Sequence, residues 1–205
     1  MACLSCGTGY GYWLPIAPVL ILACFTFSCA SAPRTQLPPY PAVQKKKPDV
    51  RVQDLEKRIH RIINAERSKQ GLNELSWNNN LAGIARAHSR DMGKRNYFSH
   101  NSPEGRDFFH RYQQAGYSCA IRVNKVIHQG AENIALNNLY DSVTTVNGRA
   151  FYDWNSGEHI AETTVRGWMH SPGHKKNILT PHWKSEGIGI FISPDDKIYI
   201  TQNFC

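Results

Sequence analysis

The sequence predicts an α/β domain of the α+β kind over residues 51–205, in which helices cover a sheet. Three observations carry that expectation. Four stretches repeat apolar residues at helical spacing, two C-terminal stretches switch to the period of strands, and the length suits one domain with appendages.

The first helix places Leu55, Ile59, Ile62 and Ile63 on one face, with Asp54 in its first turn and Gly71 after Lys69-Gln70 as a stop. A short extended piece at Leu75-Ser76-Trp77 leads to Asn78-Asn79-Asn80, an N-cap for a second helix. That helix aligns Leu81, Ile84, Ala85, His88 and Met92 and runs to about Lys94. A third apolar group, Phe108, Phe109 and Tyr112, ends at Gly116. The fourth, Ile160, Thr164, Val165, Trp168 and Met169, is stopped by Ser171-Pro172, where a turn begins a short helix through Asn177-Ile178-Leu179. Gly187 to Ile192 and Lys197 to Gln202 read as strands joined by a turn at Ser193-Pro194-Asp195-Asp196. No internal repeat is visible.

Ahead of the domain, Trp13 to Phe27 is an apolar run followed by the small residues Ser28-Cys29-Ala30-Ser31-Ala32, the pattern of an export signal. Residues 1–29 are therefore expected to be a signal peptide of lipoprotein type, with Cys29 as the lipidated residue and Cys24 as the alternative. No Lys or Arg precedes the run, which departs from the usual basic start, and an uncleaved membrane anchor is the competing reading. Residues 30–50, rich in Pro and Lys, read as a semi-rigid linker. The protein is then extracytoplasmic, secreted or anchored as a lipoprotein of a bacterial cell envelope.

The formal charge is +8, of which +3 lies in the linker and +5 in the domain. That mild basicity comes without an Arg/Lys stripe or interleaved aromatics, so nucleic acid is not an expected partner. GxSxG, Walker and GxGxxG motifs are absent, which removes the usual support for elbow-serine, phosphoryl-transfer and dinucleotide chemistry. His159-Ile160-Ala161-Glu162 is not a zincin motif. The domain holds two cysteines, Cys119 and Cys205, which either close a disulfide in an oxidising compartment or stay as buried thiols.

The residues able to carry chemistry stand in loops or at element ends: His100 after Phe98-Ser99, Glu132 in GAENIA, His174 in WMHSPGH, and His182 before Trp183. Imidazoles near a carboxylate can hold zinc, activate water, or hydrogen-bond one another for stability alone. His88, on an apolar helix face, reads as a core residue.

RIINAERSK, GLNELSW, LAGIARAHSRDM, YFSHNSPEG, GAENIA, WMHSPGHKKNIL and GIGIFI, in that order, resemble the CAP superfamily of cysteine-rich secretory proteins, insect venom antigens and plant pathogenesis-related proteins, in its bacterial secreted branch. The resemblance implies an α-β-α sandwich, an antiparallel sheet covered by helices on both faces, with a cleft. It also implies a His/Glu/Glu/His set able to hold zinc or another divalent metal. His100 matches the first His, Glu132 the first Glu and His182 the last His. Ser171 stands where the second Glu is expected, with His174 close by, so His100, Glu132, Ser171, His174 and His182 form the expected cleft set.

Three functions compete. One is a binding domain for a lipid or envelope-derived ligand, with a metal on His100 and His182. Another is a metal-assisted hydrolase with Glu132 as general base. The third is a structural or adhesion module displayed on the cell surface.

Overall fold

The computed structural model describes residues 46–205, so the leader, with Cys24 and Cys29, and most of the linker lie outside the described residues. Helix α1, Val52–Lys69, buries Leu55, Ile59 and Ile63 on the face its sequence spacing sets out. Strand β1 is Ser76–Trp77, and α2 follows at Asn79–Arg95. The Asn78 side-chain oxygen accepts from the backbone N–H of Asn80 (3.0 Å) and Leu81 (3.1 Å), and Asn96 ends the helix at φ 54°. Helix α3, Phe108–Gln114, is capped by Asp107; α4, Gly157–His170, is capped by Ser156. Pro172 opens α5, Pro172–Ile178, immediately after α4, so Ser171 joins two helices.

Strands β7 (Ser185–Ile192) and β8 (Lys197–Phe204) form the expected hairpin, and β4 (Ala131–Asn138) pairs antiparallel with β8 along its whole length. The sheet order is β1-β7-β8-β4. Its β1 edge is parallel to β7, so the antiparallel sheet implied by resemblance is in fact mixed. Short hairpins β2–β3 (Ile121–Val123, Val126–His128) and β5–β6 (Tyr140–Val146, Arg149–Trp154) stand apart from it.

The pleat divides the sheet chemically. Ile188, Ile190, Ile198 and Ile200 face one way, into a core with Leu55, Ile59 and Ile63 of α1 and Ile160, Val165 and Trp168 of α4. Gly187 and Gly189 face α2. A Cβ at Gly187 would stand 2.1 Å from the backbone nitrogen of Ala82, and one at Gly189 would stand 1.9 Å from that of Arg86. Helix backbone thus rests directly on strand backbone, a packing only glycine permits.

Beyond the two residues paired with β1, the outer edge of β7 is met by α1. The buried Glu56 carboxylate accepts the Ile190 N–H (3.2 Å) and binds Arg86 of α2 through two hydrogen bonds of 2.8 and 2.6 Å. Cys119 and Cys205 are joined as a disulfide, with Cα atoms 5.6 Å apart. Lys47, in the expected linker, ion-pairs with Asp196 and lies over the Trp154 ring, and Val50 packs on the core. The packed unit therefore begins before residue 51.

Candidate functional site

Glu132 and Asn203 are opposite one another in the β4–β8 ladder, as are Asn203 and Gly187 in the β8–β7 ladder, so Glu132 points to the α2 side. It is 5 % exposed, yet both carboxylate oxygens have partners. Oε1 accepts from His100 Nδ1 at 3.0 Å, and Oε2 accepts from Arg111 Nη2 at 2.6 Å. His88 of α2 lies beneath, its Nε2 4.0 Å from Oε1, and donates to the Ser99 carbonyl at 3.1 Å. Burial pushes the His88 imidazole below its ordinary pKa, against the opposing pull of Glu132.

Arg111 organises the loop above. Beyond Glu132 it donates to the carbonyls of His100 (3.0 Å) and Arg106 (2.9 Å), holding the His100 backbone over the carboxylate. With Nδ1–H committed to Glu132, His100 carries its lone pair on Nε2, and the side chain is half exposed to the cleft.

The far wall is α5, docked on β4 by amides. Asn177 Nδ2 donates to the Glu132 carbonyl (3.2 Å) and to Asn133 Oδ1 (2.9 Å), and Asn133 Nδ2 donates to the His174 carbonyl (3.3 Å). This places the His174 ring centroid 6.4 Å from that of His100. Burial, then the neighbouring His100, lowers the pKa of His174. The hollow between these walls, about 310 Å³, is lined by His100, Asp107, Phe108, Ala131, Glu132 and Asn177. Gly130 at its floor has φ 107°, and a Cβ there would meet the Tyr112 ring at 2.7 Å.

His100, Glu132 and His174 are thus brought together, joined by His88, which is buried as its apolar helix face implies, and by Arg111, which the sequence reading leaves out. His182 stands elsewhere. The chain leaving α5 carries it against the β2–β3 hairpin, its ring 3.9 Å from that of His128, in a hollow shared with Glu74 and Arg122. His100 and His182, the expected metal pair, line separate hollows. Ser171 serves the α4–α5 junction: its N–H bonds the Trp168 carbonyl and its carbonyl accepts from Lys175.

A resident zinc needs three or four converging donors. Among the described residues no group of three or more His, Cys, Asp or Glu is close enough to supply them, and Arg111 already engages one oxygen of Glu132. The donor set therefore does not fit a zinc centre.

Comparison with known proteins is consistent with this architecture. The YkwD protein of Bacillus subtilis is 34 % identical over 134 residues, 65 % of this chain and 41 % of its own length. The membrane protein YlbC of the same organism is 32 % identical over 149 residues, 73 % of this chain and 34 % of its own. The chain thus spans well under half the length of these relatives. An extracellular Bacillus anthracis protein containing an SCP domain superposes with a TM-score of 0.54 at 29 % identity, covering 75 % of this chain and 40 % of that one. An outer surface protein of Borrelia burgdorferi shares the fold at 16 % identity, with a TM-score of 0.55, over 79 % of this chain and 97 % of that one. The model of the cysteine-rich secretory protein family matches residues 60–204, and with the helix-covered sheet and the motifs that line its cleft, this places the chain in the CAP family.

Proposed function

We propose that the domain works outside the cytoplasm and binds a hydroxyl-rich fragment of the cell envelope in the hollow lined by His100, Glu132 and Asn177, with the His174 ring beside His100. The observation that carries this reading is the orientation of His100. Its Nδ1 is tied to a buried carboxylate, and its Nε2 is offered to the hollow as an acceptor for a ligand hydroxyl. His100, Asp107, Glu132 and Asn177 give the hollow polar groups that can orient a hydroxyl, while Phe108 and Ala131 offer an apolar surface for a sugar-ring face. The apolar N-terminal run, the extracellular Bacillus anthracis protein and the membrane protein YlbC support the location.

The test is binding of the full chain to soluble wall glycan fragments and to lipid vesicles. Saturable binding to the fragments, weakened about tenfold or more in His100→Ala, is expected from loss of an oriented hydrogen bond to a polar ligand. Binding only to vesicles, or equal affinity in the variant, overturns the proposal. The same pair is also arranged as a general base, with His100 accepting a proton at Nε2 while Glu132 stabilises the imidazolium. Cleavage of the bound fragment, abolished by both His100→Ala and Glu132→Gln, would add hydrolysis to binding.

A further inference from the structure

The β2–β3 hairpin carries the two most exposed large apolar side chains among the described residues, Val126 at 57 % and Ile127 at 49 %. They adjoin at its tip, where Asn124, at φ 52°, turns the chain back through Lys125. Arg122 stands opposite Ile127 in the ladder and Val123 opposite Val126, so the two exposed residues lie on opposite faces of the ribbon. The base is fixed. Cys119, just ahead of β2, is bonded to Cys205, Ile121 packs on the core, and the His128 ring lies 3.9 Å from that of His182. Residues 124–127, all exposed, are therefore held out from the domain on a firm stem.

The charge around this tip is mostly of one sign. Residues 117–131 contain no Asp or Glu, while Arg122 and Lys125 stand on the hairpin and Lys184 lines the adjoining hollow with Arg122. Glu74 is the one acid lining that hollow, and among the described residues the ion pairs engage other cations. Adjacent exposed aliphatic residues mark a contact surface. A groove on another protein would cover one face of the ribbon, whereas both faces here end in an aliphatic side chain, which calls for a medium that surrounds the tip. The basic flank makes that medium anionic. A bilayer rich in acidic phospholipid meets both demands: its headgroup–acyl boundary takes the side chains and its phosphates take the cations.

We propose that the β2–β3 tip is a membrane-contact element, in which Val126 and Ile127 enter the surface of an anionic bilayer and Arg122, Lys125 and Lys184 meet its phosphates. Two side chains and three charges add to an anchor rather than replace one, and the apolar run Trp13 to Phe27 is a candidate for that anchor. The tip lines no part of the Glu132 hollow, so the contact stands whether or not that hollow takes a glycan.

The test is amide hydrogen exchange on the full chain, with vesicles of phosphatidylglycerol, with vesicles of phosphatidylcholine, and with none. A local readout separates the tip from whatever holds the N-terminal run to either lipid. Phosphatidylglycerol is expected to slow exchange at residues 123–127 about fivefold or more, to leave the exposed β5–β6 ribbon unchanged, and to lose its effect in about 0.5 M NaCl. Arg122→Gln or Lys125→Gln should each weaken the effect about fivefold, the worth of one basic residue at such a surface. Val126→Ser/Ile127→Ser should abolish it while the central sheet keeps its own protection, which shows the variant folded. Equal protection on phosphatidylcholine, none on phosphatidylglycerol, or full protection in the double serine variant overturns the proposal. Protection that grows with protein concentration in the absence of vesicles also overturns it, in favour of a second copy of the chain.

Discussion

Arg111 meets three acceptors, the Glu132 carboxylate and the carbonyls of His100 and Arg106. Lysine carries the charge but not the fork, so Arg111→Lys should leave the fold intact and free the loop over residues 99–106. Hydrogen exchange at those amides is expected to quicken while the sheet stays protected. His88 gives a pH signature. Its folded pKa lies below the ordinary value of about 6.5, so the native state prefers the neutral ring. The sign follows: the stabilisation is full above pH about 6.5 and is lost as pH falls through the depressed pKa. His174 adds in the same direction, its shift set by burial and His100. The melting temperature should fall between pH 7 and pH 5, above the carboxylate range, and His88→Gln should flatten that slope. At this scale the sequence announced His100, Glu132 and His174 through their loop motifs. It concealed Arg111, because a lone arginine in a short helix looks the same whether it meets solvent or a buried carboxylate. It put His88 in the core, where the ring lies, but an apolar helix face gives no sign that the chain will lay a carboxylate beside it.

At the level of elements, the contact between α2 and β7 gives a paired test. Gly187→Ala and Gly189→Ala each drive a methyl into helix backbone and should cost about 1–3 kcal/mol or more by urea denaturation. Gly83→Ala, inside the same helix with nothing within 4 Å of the added carbon, should instead stabilise by about 1 kcal/mol. Glu56→Ala orphans the Ile190 N–H and frees Arg86, and should cost about 1–3 kcal/mol by the same measurement. The helices were legible because each sets an apolar stripe against polar neighbours. The last hairpin was legible through its alternation and turn residues. Strand β4 was not, because Glu132, Asn133 and Asn137 spend its length on polar contacts that disguise a partly buried strand as loop. The β5–β6 ribbon, mostly exposed and rich in Thr and Asp, gave no apolar alternation to read.

At the scale of the domain, the Cys119–Cys205 disulfide ties the α3–β2 connection to the end of the central strand β8, closing a loop of sequence separation 86. Its loss in Cys119→Ser/Cys205→Ser should lower stability by about 2–5 kcal/mol, read as a reduced urea midpoint. The layered architecture was foreseeable from four amphipathic helices beside two strands. The parallel edge was not, since a two-residue strand carries no periodic signal. The glycines that let α2 settle on β7 also decide how the site can move. With no side-chain cushion between them, helix and sheet have nothing to slide on, so His88 and Glu132 ride on a single stiff plate. Whatever adjustment a guest demands falls to the opposite jaw, the His100 loop, whose grip on the plate is made of hydrogen bonds that can open one at a time, while α5 is pinned by Ile178 in the core.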